Sequence, residues 1–235
     1  MPRIPGLSDI EITYRRSPRT RRFSLRLSAL DGRVTLSMPA RAPLAEAQNF
    51  ARAHEDWLRN ALARQPVRQL VRSGAVLPVE GVVLVVGTGP GRGVRRFSDS
   101  LLVGGDPATL APRLQAWLKT LARERLAAAS DRYAAELGRK VTQISLRDTR
   151  SRWGSCTAQG RLMYSWRLIL APPAVLDYVA AHEVAHLVEM NHSDRFWTVV
   201  ERLYPGWQRQ RDWLRGEGQA LHAWDFSSTP RSGGD

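Results

Sequence analysis

Three of the five histidines in this 235-residue chain fall within eleven positions, at 182, 186 and 192. The segment reads Ala181-His-Glu-Val-Ala-His-Leu-Val-Glu-Met-Asn-His-Ser193. Residues four apart on a helix share one face, about one turn from each other. His182 and His186 therefore act together only if this stretch is helical. Pro172-Pro173 is suited to open that helix, because a first-turn proline lacks an N–H that would be unpaired anyway. Two imidazoles so placed suit two of the three protein ligands of a tetrahedral zinc ion. Glu183 lies beside them, positioned to accept a proton from a water on the metal rather than to bind the ion.

A third ligand is needed. His192 follows His186 by six residues across Met190-Asn191, and asparagine tolerates the left-handed backbone that ends helices. Asn191 can thus terminate the helix and return His192 toward the metal, leaving Ser193 to cap a following helix with Phe196, Trp197, Val200 and Leu203 facing inward. The rival is Glu201, a carboxylate from that next helix; Glu189 shares the helix of His186 and points elsewhere. Cys156 poses a different alternative. A thiolate added to three histidines would close the site, and closed sites are structural, whereas a small buried cysteine leaves the site open and gives Glu183 a purpose. His54 and His222 belong to no such cluster, and His54 reads as a structural histidine.

Patterning along the chain places this motif in an α+β protein. Ile10, Ile12 and Tyr14 alternate with polar neighbours, as do Phe23, Leu25 and Leu27, and then Val34, Leu36 and Met38 after Asp31-Gly32, a hairpin signal. From Pro43 to about Ala63 the period becomes helical through Leu44, Ala47, Phe50, His54, Trp57, Leu58 and Leu62. Strands are expected near 76–86 and 94–103, with Gly87-Thr-Gly-Pro-Gly-Arg-Gly93 as a hairpin loop between them. That glycine run lacks the Gly-Lys-Ser/Thr ending of a phosphate loop. A long helix is predicted over 106–137, stopped at Gly138, then a strand over 142–150 and another at Trp166–Ala171. The division is thus a β-rich half with one helix over 1–105, a catalytic domain over 106–226 and a disordered tail over 227–235.

No apolar run approaches the roughly 18 residues of a membrane span, and Met1–Asp9 lacks the features of a secretory signal. The lone Cys156 excludes an internal disulfide framework. These features lead to the expectation of a cytoplasmic protein. The formal net charge is +13, nearly all from arginine, since Lys119 and Lys140 are the only lysines. The run Arg15-Arg-Ser-Pro-Arg-Thr-Arg-Arg22 is either a solvated basic loop or a contact for DNA.

Several segments together carry a resemblance. Arg152-Trp-Gly-Ser-Cys156, Trp166-Arg-Leu-Ile-Leu-Ala-Pro-Pro173, His182-Glu-Val-Ala-His186, Asn191-His-Ser193 and Phe196-Trp197 resemble the YgjP-like branch of the SprT-like zinc metallopeptidases. The resemblance implies a minimal zincin-like fold with Zn²⁺ on His182, His186 and His192, and with Glu183 as the general base. It also implies a polypeptide substrate paired with an edge strand beside the active-site helix. Two other readings follow: a protease recruited to DNA-bound proteins, and a non-catalytic nucleic-acid-binding module with structural zinc.

Overall fold

Alternation over residues 10–38 resolves into three strands, β1 (Ile12–Ser17), β2 (Ser24–Leu27) and β3 (Val34–Pro39). In this computed structural model, which describes residues 9–28, 32–63 and 67–227, β2 and β3 form the expected antiparallel hairpin and β1 joins the other edge of β3 in parallel. The tip of the hairpin at 29–31, including Asp31, lies outside the described residues, as do 1–8. Ile12, Val34, Leu36 and Met38 are buried with Ala47, Ala51 and Leu58 of the helices that follow.

Those helices are two, α1 (Leu44–Ala53) and α2 (Glu55–Ala63), where the periodicity implied one. The break falls at His54. Its backbone N–H bonds to Ala51 O (3.1 Å), and its Nδ1 lies 2.8 Å from Phe50 O. The imidazole has taken the carbonyl that the helical backbone N–H would otherwise use, and its ring packs on Phe50 at 4.3 Å.

The chain divides into compact units at Met1–Val67 and Arg68–Asp235, not at residue 105 where the sequence patterning sets the division. The second unit begins with β4 (Gln69–Leu70), β5 (Val76–Val79), β6 (Val82–Gly89), β7 (Val94–Arg96) and β8 (Ser100–Gly104). Leu77, Val79, Leu84, Val86, Leu101 and Val103 from these strands share a core with the long helix that follows. The glycine run after Gly87 joins β6 to β7, which are not neighbours. They flank β8 in the order β5-β6-β8-β7, so the run is not a hairpin loop. The hairpin turn is Glu80-Gly81, with φ of 52° and 76°, two successive left-handed residues as a type I′ turn requires.

Helix α3 (Leu110–Glu136) spans 27 residues within the expected 106–137, after a 3-10 turn over Pro107–Thr109. It packs on α4 (Pro173–Ala185), and Asp177 of α4 accepts bonds from Arg132 Nη2 (2.6 Å) and Tyr133 Oη (2.7 Å) of α3. A second sheet holds β9 (Gln143–Arg147), β10 (Gly154–Cys156) and β11 (Arg161–Ser165) in the order β10-β11-β9. The expected strand at Trp166–Ala171 is instead a 3-10 turn over Trp166–Leu170. All five of its side chains are buried, and a run apolar on both sides does not distinguish strand from buried helix. Arg167, buried within it, donates to both oxygens of Asp148 (2.6 and 3.1 Å) and to the carbonyls of Leu221 and Trp224 (3.0 Å each).

Helices α5 (Asp194–Leu203) and α6 (Gln208–Gly216) follow, and β12 (Trp224–Asp225) pairs in parallel with β4. Ser227, placed in the tail by composition, donates from its N–H and hydroxyl to Asp225 (3.0 Å each). Residues 228–235 lie outside the described residues. No helix among the described residues is long and apolar enough to cross a membrane.

Glu80 joins several parts of the second unit. Its N–H donates to Ile169 O (2.8 Å), and its carboxylate accepts from Arg125 Nε of α3 (2.6 Å) and from Arg96 of β7. Burial raises its pKa, but the hydrogen bonds from Arg125 and Arg96 outweigh that and hold the carboxyl below its ordinary value. A carboxylate with a depressed folded pKa stabilises above its unfolded pKa, and that contribution disappears as pH falls through the folded value. Glu80→Gln should therefore cost about 1 kcal/mol near pH 7, the pair being partly screened. Urea unfolding at a series of pH values should show the gap closing in acid; a gap of constant size would place the effect outside the ion pairs.

Candidate metal centre

Helix α4 is apolar nearly all round, the mark of a helix enclosed by its fold. Val175, Leu176, Tyr178, Val179, Ala180, Ala181, Val184 and Ala185 are all buried. Apart from Asp177, its polar residues fall in the last turn. His182 and Glu183 lie inside it and His186 stands at its end. The chain then tightens through bonds from Leu187 N to Val184 O and from Val188 N to Ala185 O. This short-range bonding turns it, and Asn191 plays no left-handed part: Glu80 is the only non-glycine residue with positive φ among those described. His192 nevertheless returns to the helix end. Ser193 occupies the cap position of α5 without a side-chain capping bond.

The three imidazoles converge. One ring nitrogen from each lies within 4.8 Å of the others, and the Nε2 atoms of His182 and His192 are 3.1 Å apart. His186 Nδ1 is 3.0 Å from Glu189 O. Donation to that carbonyl fixes the tautomer and leaves Nε2 bare, the usual outer partner of a metal-binding histidine. Burial and then the neighbouring rings His186 and His192 lower the pKa of His182 to about 3. Burial also lowers that of His186, against the hydrogen bond to Glu189. Neutral imidazoles with converging lone pairs are the state that binds a cation. Phe196 of α5 stands among all three, stacked on His186 at 4.4 Å and edge-on to His182 and His192 at 4.9 and 4.7 Å.

The other candidates are elsewhere. Glu201 accepts from Gly206 N (3.3 Å), and only the backbone of Glu189 meets the site. Cys156 does not belong to the histidine group; its thiol donates to Thr157 O (3.3 Å), and burial, then Glu183, raise its pKa to about 11. His222 is buried against Trp153, 5.1 Å between rings. Arg152 lines the cleft. Tyr164 is buried and bonded to Ser130 (3.0 Å), and Tyr204 is absent from the cleft lining.

Glu183 is 6% exposed and faces β10, where Gly154 makes room for it. A Cβ built at Gly154 would stand 2.5 Å from Glu183 Cγ and Oε1, so any other residue displaces the carboxyl. Burial raises its pKa to about 8, with Arg152 pulling the other way. A cation among the imidazoles would add to that pull and favour the carboxylate. The cleft above is about 560 Å³ and is bounded by β10, α4, His192, Trp197 and, from α6, Arg211, Leu214 and Arg215. The α6 wall was not legible as part of the site, because nothing in a surface helix rich in arginine indicates which face meets a cleft.

The fold and the site define an α+β protein with a three-histidine centre fit to hold a metal ion. The chain belongs to the YgjP-like family of metallopeptidase domains, whose pattern matches residues 21–217. No curated protein sequence matches it. Among solved structures, the metallopeptidase zymogen abylysin of Pyrococcus abyssi is similar at 20% identity and a TM-score of 0.37, over 40% of this chain and 95% of its own.

One site of three ligands calls for about one ion per chain. Elemental analysis should find it in the purified protein and in Cys156→Ala, and should find it lost from His186→Ala. Retention in the last variant would refute the ligand set, and loss from Cys156→Ala would restore the closed, structural site.

Proposed function

We propose that this protein is a zinc-dependent peptidase that hydrolyses peptide bonds, with His182, His186 and His192 holding the ion and Glu183 as general base. The observation that carries this reading is a buried carboxyl beside three converging imidazoles, at the base of an open cleft. The all-imidazole donor set suits zinc, and zinc in such a site supplies a water acidified toward a pKa of about 7 and a Lewis acid for the substrate carbonyl. Glu183 accepts the water's proton during attack and returns it to the departing amine. Gly154 sets the position of that carboxyl, and Arg152 favours its ionised form. The edge strand β10, unpaired on its outer side, offers backbone groups to an extended peptide.

A second reading, recruitment to DNA-bound proteins, is favoured by the first unit. Arg15, Arg16, Arg19, Arg21 and Arg22 are all exposed, although Arg16 also donates to Ala40 O and Ala42 O (3.0 and 2.7 Å). Neutralised phosphates release counterions, so binding should weaken steeply with salt. A fluorescence titration against duplex DNA at several salt concentrations tests this. The five-fold arginine-to-serine variant should bind more weakly still, and no binding at low salt removes the reading.

Glu183→Gln keeps size and removes the proton acceptor, so cleavage of casein should fall by at least roughly 100-fold with metal content unchanged. Gly154→Ala should also retain metal and lose most activity, since its methyl group occupies the space of the Glu183 carboxyl. Equal, chelator-sensitive cleavage by wild type and Glu183→Gln would overturn the assignment of the base.

A further inference from the structure

The cleft wall formed by α6 carries chemistry that neither metal holding nor proton transfer uses. Arg211 and Arg215 lie one helical turn apart and both line the cleft. The guanidinium carbon of Arg211 sits 4.6 Å from the ring centroid of Trp207 and 5.8 Å from that of Trp197. These two indoles stack on each other at 4.2 Å, and Trp197 in turn lies 5.7 Å from His182 and 5.8 Å from His192. The guanidinium is thus one aromatic ring away from the metal-holding imidazoles.

Its charge is poorly answered among the described residues. Arg211 Nε is buried and has no hydrogen-bond partner among the described residues. The Asp212 carboxylate is 3.7 Å from that nitrogen and 3.6 Å from Arg215 Nη1, and it is mostly exposed. A buried donor left unpaired costs free energy, and stacking on indole holds the planar fork in a fixed direction suited to a carboxylate. Among the described residues Glu183 is the one acid lining the cleft, and Arg152 adds a third guanidinium to it.

We propose that Arg211, assisted by Arg215, is the specificity-determining carboxylate receptor of the cleft, so that the preferred peptides carry an acidic side chain or a free C-terminal carboxylate close to the bond that is cut. The inference rests on the peptidase reading and names its substrate class. A carboxylate seated there completes the Arg211 hydrogen bonds and anchors the peptide beside Glu183.

The test measures binding separately from turnover. Quenching of tryptophan fluorescence is followed in Glu183→Gln with three peptides of one sequence: a glutamine-containing amide, its glutamate counterpart, and the glutamine peptide with a free C-terminus. One of the two carboxylate peptides should bind roughly tenfold or more tightly than the neutral one, as a charge-assisted hydrogen bond gives, and which of them does so identifies the source. Adding Arg211→Gln should remove most of that preference. Arg211→Lys should restore only part, and Arg215→Gln, at an exposed position, should reduce it less. The preference should survive dialysis to the metal-free form. A preference lost with the metal yet retained in Arg211→Gln would place the carboxylate on the ion and overturn the proposal. Equal binding of all three peptides would do the same, as would displacement by a short oligonucleotide at concentrations where free glutamate has no effect. An intact preference in a wild-type protein that cleaves nothing would instead defeat the peptidase reading alone.

Discussion

An ionisable carboxyl enclosed at the end of an apolar helix is the constraint around which the second unit is arranged. Two conditions accompany the burial of Glu183: β10 supplies a glycine opposite it, and Arg152 offsets part of the rise in pKa that burial causes. Both conditions are met from one short segment, Arg152 to Gly154, which joins the edge of the small sheet. That segment is fixed in turn by backbone pairing with β11 and by the bond from Ser165 N to Trp153 O (2.8 Å). Helix, strand and carboxyl therefore define one another's positions.

The aromatic side chains perform a related task for the histidines. Phe196 contacts all three rings, and Trp197 stacks near His192. Rings held by packing lose little freedom when a cation arrives, and the tautomer of His186 is already set by Glu189 O. The arrangement is thus organised before the ion is present, as an effective metal site requires. Phe196 and Trp197 come from the helix that Ser193 begins, so the turn after His186 positions both the third histidine and its packing.

Much of this was legible in the sequence. Helical spacing placed His182 and His186 on one face, and the proline pair marked where their helix starts. The long helix α3 followed from its period and Gly138, and the hairpin of β2 and β3 from alternation on either side of Asp31-Gly32. What failed did so for identifiable reasons. The turn after His186 is made by ordinary backbone tightening, which leaves no residue signature, and Asn191 suggested a left-handed turn that the chain does not need. The Trp166–Leu170 stretch is buried throughout and apolar but for Arg167, so alternation carried no information there. The break at His54 depends on a side chain competing for a carbonyl, an event no periodicity records. The arginines of α6 meet the cleft through tertiary packing, and only coordinates reveal which of them do so.

The short β4–β12 ladder has a mechanical consequence. Gln69 and Val71 take the carbonyls of Ala223 and Asp225 (2.9 Å each), and Arg68 meets Asp225 at 2.7 Å. Because the two strands run parallel, tension applied at residue 68 and beyond 225 loads these bonds together, in shear, rather than opening them one at a time. Leu221, just before that clasp, and Trp224, within it, hold Arg167 through their carbonyls. Force sufficient to slide the ladder would next be carried through Arg167 to Asp148, and so to the loop that leads into Arg152 and Gly154. A pull at the ends of this unit is thereby transmitted to the strand facing the carboxyl of Glu183.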